Sequence, residues 1–207
     1  NQAGSGNLIV TNYGTGRIVG QGNAGGTNGN GIYAVGSGAL GLTNAGLIVG
    51  RVNGVLTGSS ASITNSGTIA AGTLSGGTSG TLVAGGGNGI QTVGGTITNQ
   101  AGGVIRGSFL GGNGDNTNAI TSTAATTISN SGQILGVAYG STSNVRTNGV
   151  YVSGGGGTVT NYATGLITGG WDGVYVASGG TVTNSGTIAG YQYYGVENAS
   201  TLTNNAG

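Results

Sequence analysis

The 207-residue chain contains 52 glycines and no cysteine or histidine, and its formal net charge is +1. Without cysteine there is neither a disulfide framework nor thiol chemistry, and four arginines without a lysine form no basic stripe for nucleic acid. No apolar run approaches the roughly 18 residues of a transmembrane helix. Glycine-rich chains can be disordered, but disorder combines low hydrophobicity with high charge, and only 3% of these residues are charged.

The first element of a repeat is an aliphatic residue, then threonine or serine, then asparagine, beginning with Val10-Thr11-Asn12. Recurrence every 20 to 50 residues or so is typical of stacked repeat architectures. The asparagines of its eight copies are Asn12, Asn44, Asn65, Asn99, Asn130, Asn161, Asn184 and Asn204. An amide both donates and accepts hydrogen bonds, so stacked copies can bond to one another. We therefore predict that these eight residues form a structural ladder.

Two further elements follow each asparagine along the chain. The second is Gly-x-Ile, which follows the first seven asparagines, from Gly16-Arg17-Ile18 to Gly186-Thr187-Ile188. The third is asparagine or aspartate, a small residue, and isoleucine or valine, as in Asn30-Gly31-Ile32 and Asp172-Gly173-Val174. Its seventh copy, Tyr194-Gly195-Val196, lacks the asparagine. Each repeat thus holds three short segments separated by residues that tolerate sharp corners.

Apolar and polar residues alternate within these segments, as at 149–152, which indicates β-strands. No apolar stripe with a 3.6-residue period occurs, so no helix is predicted. Asn-Gly pairs also favour hairpins, but identical residue types return in sets of three, which favours parallel stacking. We predict an all-β, right-handed parallel β-helix with three short strands per rung and about seven rungs. Residues 1–207 then form a single solenoid segment.

Both ends of the chain fall inside a copy of the repeat. Residues 1–4 resemble 99–102, and 204–207 lie within another copy. Solenoids need polar caps for solubility, and neither end has the features of one. We therefore expect this solenoid to be part of a longer repeat chain or a subunit that stacks end to end.

Segments 179–188 and 63–69, which share Thr-Asn-Ser-Gly-Thr-Ile, closely resemble passenger domains of bacterial autotransporters. The resemblance extends over nearly the whole chain, from about residue 10 to 207. Those domains are secreted, adhesin-type β-helices of Gram-negative bacteria. The resemblance implies an extracellular or cell-surface location and a role in adhesion, aggregation or biofilm. It carries over no catalytic residue, because the shared positions are structural.

The acidic residues are only Asp115, Asp172 and Glu197. Glycosidase-type chemistry needs paired carboxylates, and this inventory, without histidine or lysine, disfavours an enzyme. Asp172 stands in the corner position that asparagine occupies in other repeats. Residues 111–116 are similar to a calcium-binding nonapeptide but lack one residue before the aspartate and occur once. We predict a loop there, and no catalytic, cofactor-binding or metal-binding residue.

Aromatic residues concentrate in the C-terminal half and predict a contact surface. Tyrosine and tryptophan provide rigid amphipathic area for a sugar or a protein, although stacked tyrosines can also simply stabilise a sheet face or pack against another copy. The candidate residues are Tyr151, Tyr175, Trp171, Tyr191, Tyr193 and Tyr194.

Length varies mainly between the second and third elements. Long insertions at 19–29, 70–87, 106–117 and 135–147 are expected to leave the solenoid along one edge. Loops are a common location for binding sites. The composition of these four, mainly glycine, serine, threonine, asparagine and alanine, indicates no ligand.

The threonine or serine of the first element raises the idea of an ice-binding hydroxyl ladder, which requires a second regular column beside it. We take the middle residue of Gly-x-Ile as the neighbouring outward position, and its residue type is irregular, which disfavours ice binding. The residues there are Arg17, Leu47, Thr68, Val104, Gln133, Leu166 and Thr187.

The first hypothesis is therefore a non-enzymatic, extracellular structural or adhesive β-helix of a bacterial surface protein. The alternative is an extracellular filament subunit that polymerises through its end rungs by strand addition. A glycan-binding or carbohydrate-active β-helix is a third. The expected partners are the chain itself, side to side or end to end, or host and cell-surface molecules. No nucleic acid, no cofactor and no direct membrane insertion are expected.

Overall fold

The structure is a computed structural model that describes residues 5–22, 29–36, 38–77, 80–83, 85–110, 117–139, 146–177, 179–198 and 200–205. Every regular element in these ranges is a β-strand, so none of them holds a helix that could cross a membrane. The strands are β1 (Leu8–Asn12), β2 (Arg17–Gly20), β3 (Ile32–Ala34), β4 (Leu40–Asn44), β5 (Leu47–Gly50), β6 (Val55–Thr57), β7 (Ala61–Asn65), β8 (Thr68–Ala71), β9 (Thr73–Leu74), β10 (Leu82–Val83), β11 (Ile90–Thr92), β12 (Gly95–Asn99), β13 (Val104–Leu110), β14 (Ile120–Ser122), β15 (Thr126–Asn130), β16 (Gln133–Tyr139), β17 (Val150–Val152), β18 (Thr158–Asn161), β19 (Leu166–Gly169), β20 (Val174–Val176), β21 (Thr181–Asn184), β22 (Thr187–Gly190), β23 (Val196–Asn198) and β24 (Thr201–Asn204).

Three parallel sheets form the walls of the solenoid, one for each element of the repeat. Sheet 1 stacks eight strands in the order β1-β4-β7-β12-β15-β18-β21-β24. Sheet 2 stacks β2-β5-β8-β13-β16-β19-β22, and sheet 3 stacks β3-β6-β11-β14-β17-β20-β23. Each strand pairs with the corresponding strand of the next repeat. The predicted parallel β-helix of about seven rungs is therefore confirmed.

The register places like residues on like residues. In sheet 1, Ile97 lies opposite Ile63 on one side and Ile128 on the other. A slip of one residue would turn every inward side chain outward, so the buried aliphatic columns fix this register. The repeat spacing is therefore converted directly into vertical columns of identical side chains.

The core is made of aliphatic columns from all three sheets. Sheet 2 shows the pattern most clearly, because the inward isoleucines of its five inner strands have no exposed surface. They are Ile48, Ile69, Ile105, Ile134 and Ile167. Burial of one such side chain contributes about 1.5–3 kcal/mol. Since a single rung could bury little of this surface alone, the rungs stabilise one another by stacking.

Glycine is required where sheet 2 turns into sheet 3. A Cβ atom added to Gly50 would lie 1.7 Å from the backbone carbonyl oxygen of Asn53. The equivalent contact at Gly169, with the carbonyl oxygen of Asp172, is 1.8 Å. The backbone passes so closely across this corner that only glycine fits, which accounts for part of the glycine-rich composition.

The four insertions all connect a sheet 2 strand to a sheet 3 strand. The sheet 2 strand before each insertion continues past its predicted start, and it does so furthest in two of them. Strands β13 and β16 continue to Leu110 and Tyr139, paired in parallel over seven residues. The predicted boundaries at 106 and 135 are therefore wrong, because strand pairing extends past the corner. The insertion at 70–87 contains an antiparallel pair, β9 with β10.

Candidate functional site

The first candidate feature is the asparagine ladder, which lies where sheet 1 turns into sheet 2. Each Nδ2 atom donates a hydrogen bond to the Oδ1 atom of the asparagine in the next rung. The distances are 2.7 Å (Asn12 to Asn44), 2.7 Å (Asn44 to Asn65), 2.8 Å (Asn65 to Asn99), 2.8 Å (Asn99 to Asn130), 2.8 Å (Asn130 to Asn161), 2.9 Å (Asn161 to Asn184) and 2.8 Å (Asn184 to Asn204). The column joins all eight strands of sheet 1.

The amides of this ladder also bind the backbone of the corner. The Nδ2 atom of Asn99 donates to the carbonyl oxygens of Gly103 and Gln133, both at 3.1 Å. Asn99 is 1% exposed. Since the donor and acceptor atoms are engaged internally and away from solvent, the ladder offers little for a ligand to bind. Its role is to hold the corner.

A second polar column, which sequence reasoning did not assign, lies where sheet 2 turns into sheet 3. We call it the corner column; its residues are Asn30, Asn53, Asn88, Asn118, Asn148 and Asp172. From Asn53 onward each Oδ1 atom accepts the backbone N–H of the next member, as in Asn148 to Asn118 at 2.7 Å and Asp172 to Asn148 at 3.0 Å. The recurring Asn-small-aliphatic motif was the available signal.

Asp172 can replace asparagine in this column because the position requires only a side-chain oxygen that accepts a backbone N–H. Its Oδ1 atom accepts the backbone N–H of Tyr194 at 3.0 Å. Burial raises the pKa of the Asp172 carboxyl above its ordinary value; the Tyr194 N–H opposes this rise, Glu197 adds to it, and Arg146 opposes it. The residue is 2% exposed, so the arrangement is that of a corner residue.

The other acidic residues do not assemble a site in the described ranges. Glu197 is exposed on the outer face of sheet 3, where it lies opposite Tyr175. Within those ranges no three histidine, cysteine, aspartate or glutamate residues group closely enough to hold a metal ion. Asp115 and the predicted loop at 111–116 lie outside the described residues.

The six aromatic candidates fall into two stacks and one isolated ring. Tyr151 and Tyr175 are register partners on the outer face of sheet 3, with ring centroids 4.8 Å apart and planes 18° apart. This geometry is an offset stack between neighbouring strands, which stabilises a sheet face.

The second stack lies at the corner between sheets 2 and 3. The ring centroids of Trp171 and Tyr193 are 3.9 Å apart, and Tyr194 meets Tyr193 edge to face at 6.1 Å. The Arg146 guanidinium lies 5.3 Å from the Trp171 ring centroid, within cation–π range. No ring contact between described residues joins this cluster to the sheet 3 stack, so the predicted surface is divided into two parts.

Tyr191 stands apart, with 78% of its surface exposed. It borders a shallow depression of about 340 Å³, which is lined by Leu135, Gly136, Val137, Thr168, Gly170 and Gln192 as well. The depression has no charged lining residue. It offers a ligand the Tyr191 ring and a few polar atoms.

The outer face of sheet 1 carries two hydroxyl columns rather than one. The irregular position that begins at Arg17 belongs to sheet 2, so the prediction that it neighbours the threonines is wrong. The true neighbour lies two residues earlier on the same strand. From β7 to β24 both positions hold serine or threonine: Ser62 and Thr64, Thr96 and Thr98, Thr127 and Ser129, Thr158 and Thr160, Thr181 and Thr183, Thr201 and Thr203.

These twelve side chains are called the hydroxyl array below. The array does not continue into β4 and β1, where Gly41 and Ile9 occupy the second column. A depression of about 270 Å³ marks this interruption. The regular surface therefore spans six consecutive strands.

Comparison with known proteins yields no relative: the chain matches no protein-family model, no curated protein and no solved structure. The functional argument therefore depends on the geometry described above.

Proposed function

We propose that the chain is a non-enzymatic structural and adhesive β-helix that acts outside the cell or on its surface. The observation that carries this proposal is the use of the buried polar side chains by the scaffold itself. The asparagine ladder and the corner column both form bonds between rungs. Among the described residues, the outer faces of the three sheets and the exposed aromatic residues at the corner between sheets 2 and 3 remain available for contact.

The outer surface suits close approach between rods. Only four arginines and three acidic residues occur in 207 residues. Since long-range repulsion follows net charge, two such rods can lie side by side at little electrostatic cost. Hydroxyl, amide and tyrosine side chains then provide many weak contacts, which add up along the solenoid.

The resemblance of 179–188 and 63–69 to autotransporter passenger segments supports an exported, surface-displayed protein. Adhesion, aggregation and biofilm formation are the activities that follow for such a rod. The partners in this proposal are other copies of the chain or molecules on a cell surface.

The test is to display the chain on a non-aggregating laboratory bacterium and to measure cell settling and attachment to glass. Cells that display the chain should settle faster than cells that display the anchor alone. A triple variant, Gln91→Glu, Thr127→Glu and Gln133→Glu, places one charge on each sheet. It should slow settling, and about 1 M salt should restore it, because the Debye length falls to about 3 Å.

A matched neutral variant, Gln91→Asn, Thr127→Ser and Gln133→Asn, should settle like the unmodified chain. Equal settling of displayed chain and anchor alone would contradict the proposal. Electron microscopy of the purified chain tests the alternative, a self-assembling filament subunit. Long fibres of uniform width would support the filament subunit, and discrete rods would contradict it.

A second candidate function, glycan binding, is favoured by the Trp171–Tyr193 cluster with Arg146 above it. Aromatic rings provide rigid amphipathic contact area for a sugar ring, and a neighbouring guanidinium provides hydrogen-bond donors for its hydroxyl groups. Binding on a broad glycan panel that disappears in Trp171→Ala would support it. The absence of any binding on the panel would remove it.

A further inference from the structure

The hydroxyl array is a two-dimensional lattice built into sheet 1. Along each strand its members are two residues apart, which corresponds to about 6.6 Å, and neighbouring strands are about 4.8 Å apart. Register pairing is continuous across β7, β12, β15, β18, β21 and β24. The Cβ atoms of the twelve side chains are therefore placed by backbone hydrogen bonding.

The outward hydroxyls contrast with the inward ones of the same solenoid. Inside, Thr57 and Thr92 bond at 3.1 Å, and Thr126 donates to Ser122 at 2.6 Å. On the outer face of sheet 1, none of the eleven array hydroxyls other than that of Thr201 makes a hydrogen bond to a described residue. The bonding capacity of the other eleven hydroxyl groups is directed at solvent.

The array is also rigid. Ten of its twelve members are threonine, and only Ser62 and Ser129 are serine. Threonine is β-branched and restricted at χ1, and away from the ends of the array each side chain stands between hydroxyl-bearing neighbours. Little side-chain entropy is lost when such a surface binds a partner, which is the general advantage of preorganisation.

The strands of this face carry no charge. No strand of sheet 1 contains an arginine, aspartate or glutamate. Along the chain, all four long insertions lie between a sheet 2 strand and a sheet 3 strand, and none adjoins a sheet 1 strand. No aromatic residue lies within these strands either, so the stacking that polysaccharide binding normally uses is not available here.

We propose that the hydroxyl array binds ice. Waters that hydrogen-bond to the array are held in two directions at spacings close to the oxygen repeats on faces of hexagonal ice. The threonine methyl groups between them leave no competing hydrogen-bonding group. A regular, uncharged, extended surface is complementary to a crystal lattice, whereas a small dissolved ligand requires a concave site. This inference goes beyond the proposed adhesive function and does not depend on it.

The experiment compares two variants that alter the same rung. Thr127→Tyr places a large side chain in the middle of the array, and Gln133→Tyr places the same side chain on the outer face of sheet 2. Both positions are exposed. Thermal hysteresis and inhibition of ice recrystallisation are measured for the purified chain and for both variants, with circular dichroism to show that each is folded.

The unmodified chain should shape ice crystals and show hysteresis, Thr127→Tyr should lose it, and Gln133→Tyr should keep it. Thr127→Val retains the shape without the hydroxyl and should show a partial loss, so the result does not depend on the folding of one variant. No hysteresis in the unmodified chain, or equal effects of the two tyrosines, would overturn the proposal. So would a concentration-dependent dimer that Thr127→Tyr dissociates without any ice activity, because the face is then a protein contact.

Discussion

The two polar columns of the solenoid use the same residue type in different ways. In the asparagine ladder each amide donates to one neighbour and accepts from the other. In the corner column the oxygen accepts a backbone N–H, and the amide nitrogen contributes less regularly. The ladder accordingly holds asparagine in all eight copies, whereas the corner column accommodates Asp172. What a position tolerates is decided by which atoms are engaged, not by burial alone.

The largest expected effect comes from Asn99→Asp in the ladder. The change removes the donor to Asn130 and places a carboxylate against carbonyl oxygens at a site that is 1% exposed. We expect a loss of about 3 kcal/mol or more in the free energy of unfolding at neutral pH. Urea denaturation measures it, and a loss below about 1 kcal/mol would contradict the role assigned to the ladder.

Asn118→Asp is the matched change in the corner column. Asn118 is also 1% exposed, but its Oδ1 atom, which accepts the N–H of Asn148, is retained in aspartate. Only the bond from its Nδ2 atom to Thr121 is lost. We expect a cost of about 1–2 kcal/mol in the same urea experiment. If both variants lost equal stability, the distinction between the columns would be wrong.

The aromatic residues beside the two corners provide a smaller comparison. Trp171, at the corner between sheets 2 and 3, stacks on Tyr193. Tyr162, at the corner between sheets 1 and 2, is 50% exposed and makes no ring contact with the described residues. Trp171→Ala should lower the free energy of unfolding by about 1 kcal/mol. Tyr162→Ala should leave it nearly unchanged. Thermal melting of both variants tests the contrast, which fails if the two midpoints shift alike.

The smallest effect concerns Asp172 and its dependence on pH. Because burial raises the pKa of this carboxyl in the folded state, the folded protein binds the proton more tightly than the unfolded chain. Its contribution to stability therefore increases as pH falls through the raised pKa, and decreases as pH rises through it.

Asp172→Asn should remove this component and be more stable than the unmodified chain at neutral pH. Urea denaturation across a pH series, with the difference between the two proteins plotted against pH, measures the contribution of Asp172. A difference that does not change with pH would show that the carboxyl has no shifted pKa.

The repeat allowed much of the fold to be predicted, because each element returns with the same residue types and must stack on its copy. Sheet membership follows from this: Val10, Leu42 and Ile63 share one column, as their shared motif indicates. The two-residue alternation also separated inward from outward positions. These inferences depend on local pattern alone, which a repeat sequence records many times over.

Two features could not be obtained in this way. Adjacency across the outer surface depends on where the chain turns, and the position that begins at Arg17 was placed beside the threonines although a corner separates them. The strand extension to Leu110 and Tyr139 pairs dissimilar residues, such as Phe109 with Ala138, so no repeated motif marks it.

The direction of the hydrogen bonds has a mechanical consequence. In all three sheets they join one rung to the next, so they lie along the length of the rod. Tension applied between the two ends of the chain therefore peels rungs from the ends one after another, and does not shear the whole stack at once. Each rung released adds between 20 and 34 residues of extended chain. A rod of this construction lengthens stepwise under load.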